Sequence, residues 1–182
     1  MNKIFIGFTL LIVSCSAFAI DGHNGILFEM TQAQIESKGF ICNPTTIGEK
    51  VVTRCKHMDM TGVAFSVPTN NYEVQIGADG HVDSIQSDLL GIRSTADYLA
   101  LLGNISGFFP AKDESRNLHS QGVMMDWWRA NNGAAISVFY SSGVRGILKD
   151  TLHVTFHSPK SMAIADKALA ENQKKRASQA SQ

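Results

Sequence analysis

The stretch "NYEVQIGADGHVDSIQSDL", residues 71–89, constrains the fold more than any other part of the chain. Tyr72, Val74 and Ile76 alternate with polar residues, Ala78-Asp79-Gly80 supplies a turn, and the chain returns from Val82. Successive side chains of a strand point to opposite faces, so two alternating segments joined by a tight turn make an antiparallel hairpin with one packed face. Three later runs have the same character: "GVMMDWWRA" (122–130), "AAISVFYSS" (134–142), joined to it through Asn131-Asn132-Gly133, and "TLHVTFHS" (151–158). "KVVTRCKHM" (50–58) and "TGVAFSV" (61–67) are β-branched and alternating as well. A mainly antiparallel, twisted sheet is the expected centre of the fold.

Helical signals flank these runs. In "STADYLALLGNISGFFP" (94–110), Tyr98, Leu101, Leu102, Ile105 and Phe108 fall at helical spacing. Ser94 or Thr95 is the cap and Pro110 the stop. In "MTQAQIESKGF" (30–40), Thr31 opens a short helix, Gln34 completes a capping box and Gly39 ends it. The segment from Ser161 has helical composition but fades into "ENQKKRASQASQ", which has no apolar stripe and is expected to fray. These elements predict an α+β fold in which the helix of about 94–109 packs on one face of the sheet. Residues 20–160 form a single domain on this reading, and 161–182 a C-terminal helix and tail. Thr31-x3-Ile35-x3-Gly39 is echoed by Thr95-x3-Leu99-x3-Gly103. The echo reflects either the common grammar of capped helices or two copies of one helix-plus-sheet unit.

The first nineteen residues read as an export signal. Lys3 is a short positive region, and Ile4 to Val13 is apolar but too short to span a bilayer. Cleavage after Ala17-Phe18-Ala19 would release a soluble periplasmic protein beginning at Ile20, which is the expected outcome. The alternative reads Ile12-Val13-Ser14 and places a lipid on Cys15, giving an outer-membrane lipoprotein. No other stretch is long and apolar enough to cross a membrane. Sixteen basic and sixteen acidic residues balance over the whole chain. Loss of Lys3 with the signal leaves a charge of about −1, so no strong field draws the protein to nucleic acid or anionic lipid. Cys42 and Cys55 then remain as an even pair in an oxidising compartment, which predicts a disulfide. Closing "CNPTTIGEKVVTRC" would contribute roughly 3 kcal/mol through loop entropy.

The segment "ILFEMTQAQIESKG" (26–39) resembles the opening of small envelope domains in which a strand ending in Gly-Met-Thr leads into a short helix and then a sheet. The outer-membrane-assembly lipoproteins and the tandem β-lactamase-inhibitor proteins are of this type; here Glu29 stands where those have Gly. The resemblance covers about 14 residues and the coarse order of elements. It implies a protein-binding surface on a sheet and no catalysis.

Signatures of chemistry are sparse. G-x-S-x-G does not occur, and "GADG" and "SSGVRG" read as turns rather than phosphate loops. Asp113 and Glu114 read as solvated charges in a polar loop. His57, Met58 and Met60 are soft ligands of the kind that hold Cu(I), but on a strand Met58 and Met60 share one face and His57 the other. His153 and His157 would share a face about 13 Å apart, outward of a buried set Leu152, Val154 and Phe156. No cofactor is expected.

"MMDWWRA" carries more information. Val123, Met125 and Trp127 make one apolar face; Met124, Asp126 and Trp128 make the other. The expected arrangement places Trp127 in the core and Trp128 at the surface, where Trp128, Met124, Asp126 and Arg129 would form a protein-binding patch. A helix on that second face would hide it, and a one-residue slip in register would exchange the two tryptophans. The expected function is a non-enzymatic, exported protein-binding domain, an accessory or assembly factor of the bacterial cell envelope whose partner is another envelope protein. An inhibitor or immunity protein against an envelope-targeting enzyme, and a periplasmic copper binder, are the alternatives.

Overall fold

The computed structural model describes residues 19–48, 50–92, 94–109, 112–120, 122–141 and 151–180. The leader through Phe18, with Cys15 and every residue of its two cleavage signals but Ala19, lies outside the described residues, as does Pro110. The expected hairpin is present: β6 (Val67–Ile76) and β7 (Val82–Leu89) pair antiparallel, with Val74 opposite Ile85. The three later runs are β9 (Val123–Arg129), β10 (Ala135–Ser141) and β11 (Thr151–His157), again antiparallel. The class is α+β, as expected.

Strand order gives the sheet a two-part plan. β3 (Ile41–Ile47), β4 (Lys50–His57), β6 and β7 form one meander, and β8 (Leu118–Ser120), β9, β10 and β11 form another. The two meet at their last strands, β7 against β11, and short β5 (Gly62–Ala64) adds beside β6. A helix precedes each meander: α1 (Gln32–Ser37) the first, α2 (Thr95–Phe108) the second. A two-stranded ribbon, β1 (Gly22–His23) and β2 (Ile26–Leu27), leads in.

The two helices begin alike, one residue away from the echo expected. Ser94 is the α2 cap: its hydroxyl accepts from the Asp97 N–H at 3.2 Å and donates to Asp97 Oδ2 at 2.9 Å. At α1 the Thr31 N–H donates to Gln34 Oε1 at 2.8 Å. Aligning the caps sets Tyr98 against Ile35, both fully buried, whereas Leu99 is 59% exposed. The apolar stripe of α2 also ends on Phe109 rather than Phe108, which is 50% exposed. From Ile105 both i+3 and i+4 lie on the same helical face, and here the i+4 neighbour packs.

The segment expected to be a cysteine-closed loop is instead a hairpin. Cys42 and Cys55 are bonded and sit directly opposite each other in the β3–β4 register. Their Cα atoms are 3.9 Å apart, the close spacing of a pair that exchanges no backbone hydrogen bonds. Pro44, two residues on, has the same orientation, so the N–H it lacks would have pointed off the sheet edge. A proline there blunts the edge against further strand pairing.

One face of the sheet is the core. Tyr72, Val74, Ile85, Ile136, Val138, Val154 and Phe156 lie on it, and α2 lays Tyr98, Leu101 and Ile105 against it. The opposite face is covered at one end by α3 (Pro159–Ala180), which starts directly after β11. Ser158 caps α3, accepting the Ser161 N–H at 3.1 Å, and Pro159 takes the first helical position, where its missing N–H costs nothing. Met162 is buried. The expected C-terminal helix is present: α3 runs to Ala180, and residues 170–179 are exposed.

Candidate functional site

β9 divides the protein's polar chemistry between two faces, and it does so in the opposite sense to the expected one. Trp128 is 0% exposed, and its indole N–H donates to Ser106 Oγ of α2 at 3.1 Å. Met124 packs partly buried against the core, and Asp126 is buried beside it. The patch expected at Trp128, Met124, Asp126 and Arg129 is therefore not a surface. The first three lie under α2, and Arg129 projects from the other face with Trp127. The register is set by β10, where Trp128 opposes the buried Ile136 and Trp127 opposes Ser137.

Beneath α2, Asp126 is the centre of a closed network. Tyr98 Oη donates to its Oδ2 at 2.7 Å, His119 Nε2 lies 3.1 Å from the same oxygen, and Lys112 Nζ lies 2.7 Å from Oδ1. Burial alone would raise the carboxyl pKa. The bonds from Lys112, Tyr98 and His119 outweigh it and hold Asp126 below the usual carboxylate range. Burial, and then the Asp126 carboxylate, push the Tyr98 hydroxyl up. With both oxygens occupied, the carboxylate acts as a strut joining α2, the 112–120 segment and β9.

The outward face carries the other tryptophan. Trp127 stacks on His157 with centroids 4.7 Å apart, and the Arg116 guanidinium lies over the ring at 5.7 Å. Its backbone is gripped by the preceding loop: Asn117 Oδ1 accepts its N–H at 3.0 Å, and its carbonyl accepts the Asp113 N–H at 2.8 Å. Arg129 donates to Asp113 Oδ2 at 3.0 Å and to Asp166 Oδ1 of α3 at 2.6 Å, and Arg116 pairs with the same Asp166 oxygen. His157 bonds Ser137 Oγ at 2.9 Å; burial, with the nearby arginines, lowers its pKa to about 4. It is neutral at pH 7.

Away from α3 this face is open. Phe139 lies parallel to His153 at 6.3 Å, and His153 Nδ1 is 2.7 Å from Asp88 Oδ1. A bulge in β6 turns Asn71, at φ +52°, to donate to the other Asp88 oxygen at 2.8 Å. Farther along, Glu73 pairs with Arg54 at 3.1 Å and Lys56 at 3.2 Å, and Ile41 at the edge is 72% exposed. Leu152, Val154 and Phe156 are buried and the two histidines lie outward, as the β11 alternation predicts. The sequence reading missed Arg116, Phe139 and Asp166. Phe139 was within reach, because it shares a strand face with Ser137 and Ala135, which pair with Trp127 and Arg129.

The remaining candidates are dispersed. His57 meets Phe40 edge-on at 5.2 Å, Met60 packs partly buried against the core, and Met58 is exposed. Among the described residues, no group of three or more His, Cys, Asp or Glu is placed to hold a metal, and no helix is long and apolar enough to cross a membrane. Asp113 pairs with two arginines rather than lying free in solvent. A cavity of about 410 Å³ lies between residues 19–23, the β5–β6 turn and the end of α2. Phe65 and Ser66 form that two-residue turn at φ +53° and +67°, where Asn-Gly is usual. Phe65 packs against Phe109 and Phe156 at 6.3 and 6.0 Å, contacts that offset the strain. Compared with family models, with curated proteins and with solved structures, the chain finds no match.

Proposed function

We propose that this protein is an exported, non-catalytic protein-binding module of the cell envelope, and that its binding surface is the open face of the sheet. One observation carries the reading. Met125, Phe139 and His153 stand half-buried in one row of facing strand positions, and half-buried Trp127 lies on the same face two residues along β9, with arginine and paired charges around them. Interfaces concentrate binding energy in Trp, Tyr and Arg side chains held by rigid elements and ringed by polar groups. The Asp126 and Asp113 carboxylates are each held by several neighbours, which leaves them poorly suited to proton transfer. The disulfide and the apolar leader fit an oxidising compartment. A short helix followed by a sheet, the order implied by the resemblance to envelope assembly lipoproteins and tandem inhibitor proteins, occurs here as α1 and the first meander.

Site-specific photo-crosslinking in the native host tests this. A photoreactive residue at Gln86 or Thr155, at the centre of the open face, should yield one discrete crosslinked protein. The same residue at exposed Leu99, on the far side of α2, should yield none. Crosslinks from Leu99 but none from Gln86 or Thr155 would reject the face as the binding surface.

A further inference from the structure

Arg116 and Arg129 come from different elements and converge on a single oxygen of Asp166. Beneath them the Trp127 indole N–H is buried and meets no acceptor among the described residues. Two guanidinium groups and an unsatisfied N–H on one aromatic platform recognise carboxylate. In the free protein α3 supplies that carboxylate, but its hold is slight. Asp166 is half-exposed, and a surface ion pair contributes little to stability. Past Met162 the helix is exposed apart from partial burial at Ala165 and Leu169. Lifting it would leave the two arginines facing Asp113 alone, one positive charge in excess.

We propose that α3 is a displaceable strap, and that Arg116, Arg129 and Trp127 bind an acidic segment of a protein partner whose carboxylate takes the place of Asp166. This deepens the reading of the open face as a protein-binding surface and rests on it. Charge complementarity selects the occupant: two guanidinium groups stand against one remaining carboxylate, Asp113, and the place to be filled is already held by a carboxylate, that of Asp166. The partner segment would enter along β9 and continue over Phe139 and His153.

The probe is an acetylated hexaglutamate peptide, with hexaglutamine as control, titrated into the purified protein at low ionic strength. Asp166→Asn should bind hexaglutamate about ten-fold more tightly than wild type. The gain should vanish in the double variant Asp166→Asn/Arg129→Gln and in about 0.3 M salt. The Trp127 indole N–H resonance should shift on binding, while that of Trp128 stays. Equal affinity of wild type and Asp166→Asn overturns the proposal. So does equal binding of free glutamate, which would mark an adventitious ion only. Should Asp166→Asn fail to fold, hydrogen exchange on the wild type decides. Saturating peptide should speed exchange across residues 163–170, and unchanged exchange overturns the strap. The crosslinks at Gln86 and Thr155 do not depend on Asp166, so intact crosslinks there alongside a failed peptide experiment would reject the strap and leave the face standing.

Discussion

The two halves of the sheet share a topology and are held together by different means. In the first, α1 has six residues and buries Ile35, too little to cover four strands, and the β3–β4 hairpin is joined by a disulfide. In the second, α2 has fourteen residues and buries Tyr98, Leu101 and Ile105 over Trp128 and the Asp126 strut. Where the helix is long, packing and a buried polar network suffice. Where it is short, a covalent link joins the two strands of the edge hairpin. A helix-plus-meander plan therefore leaves the choice of staple free, and each half should fail in its own way.

The largest effect should come from the core of the second half. Trp128→Ala removes a fully buried ring and its bond to the Ser106 hydroxyl, for an expected loss of roughly 3–5 kcal/mol in chemical denaturation. Trp127→Ala, on the outward face, should cost only about 1 kcal/mol, the scale of an aromatic stack. Equal losses would mean that both faces of β9 are core. Next comes the staple of the first half. Replacing Cys42 and Cys55 together with alanine should cost roughly 3 kcal/mol, and dithiothreitol should lower the melting temperature of wild type but not of the double variant. No effect of reductant would remove the contrast between the halves.

A smaller effect separates the halves by pH. His157 is held neutral, its pKa lowered from 6.5 to about 4, so its contribution is complete above pH 6.5 and is lost as pH falls from there through 4. The loss should be about 2 kcal/mol, and His157→Gln should flatten the stability–pH curve over that window. His23, also lowered to about 4 by burial, accounts for the residual slope. An unchanged slope in His157→Gln would show that the second half is not the acid-sensitive one. The smallest contrast lies in the caps. Ser94→Ala should cost about 1 kcal/mol because the hydroxyl accepts the Asp97 N–H. Thr31→Ala should cost less, since the Thr31 backbone N–H that donates to Gln34 Oε1 is kept and only the 3.2 Å bond from the Thr31 hydroxyl to the same oxygen is lost. Matched melting curves of the two variants measure the difference.

The alternating strands β6, β7, β9, β10 and β11 were legible because one face of each is apolar and the other polar, and period two survives in any context. β3 was not legible, because Asn43-Pro44-Thr45-Thr46 has turn composition. Its pairing with β4 and the bond between Cys42 and Cys55 make it a strand. The register of Trp127 and Trp128 was ambiguous for a different reason: both faces of β9 carry a methionine and a tryptophan, so alternation says that they differ and not which is inside. Asp126 looked like a solvent marker. It is buried because Lys112, His119 and Tyr98, from 7 to 28 residues away, satisfy it, and such pairings leave no local periodicity. The Arg116–Asp166 and Arg129–Asp166 pairs are hidden in the same way.

The junction of the two meanders also orders events in time. β7 pairs with β11, and His153 meets Asp88 across 65 residues of chain. Every other pairing in the sheet joins strands close in sequence, so each meander can zip locally while this contact waits on the slowest loop closure. As the chain emerges N-terminus first, the first meander is complete while β7 still presents a bare edge. That edge lacks the proline that guards β3, and it stays open until the last strand is made. The nascent chain is therefore most prone to stick to other strands just when half of it is already folded.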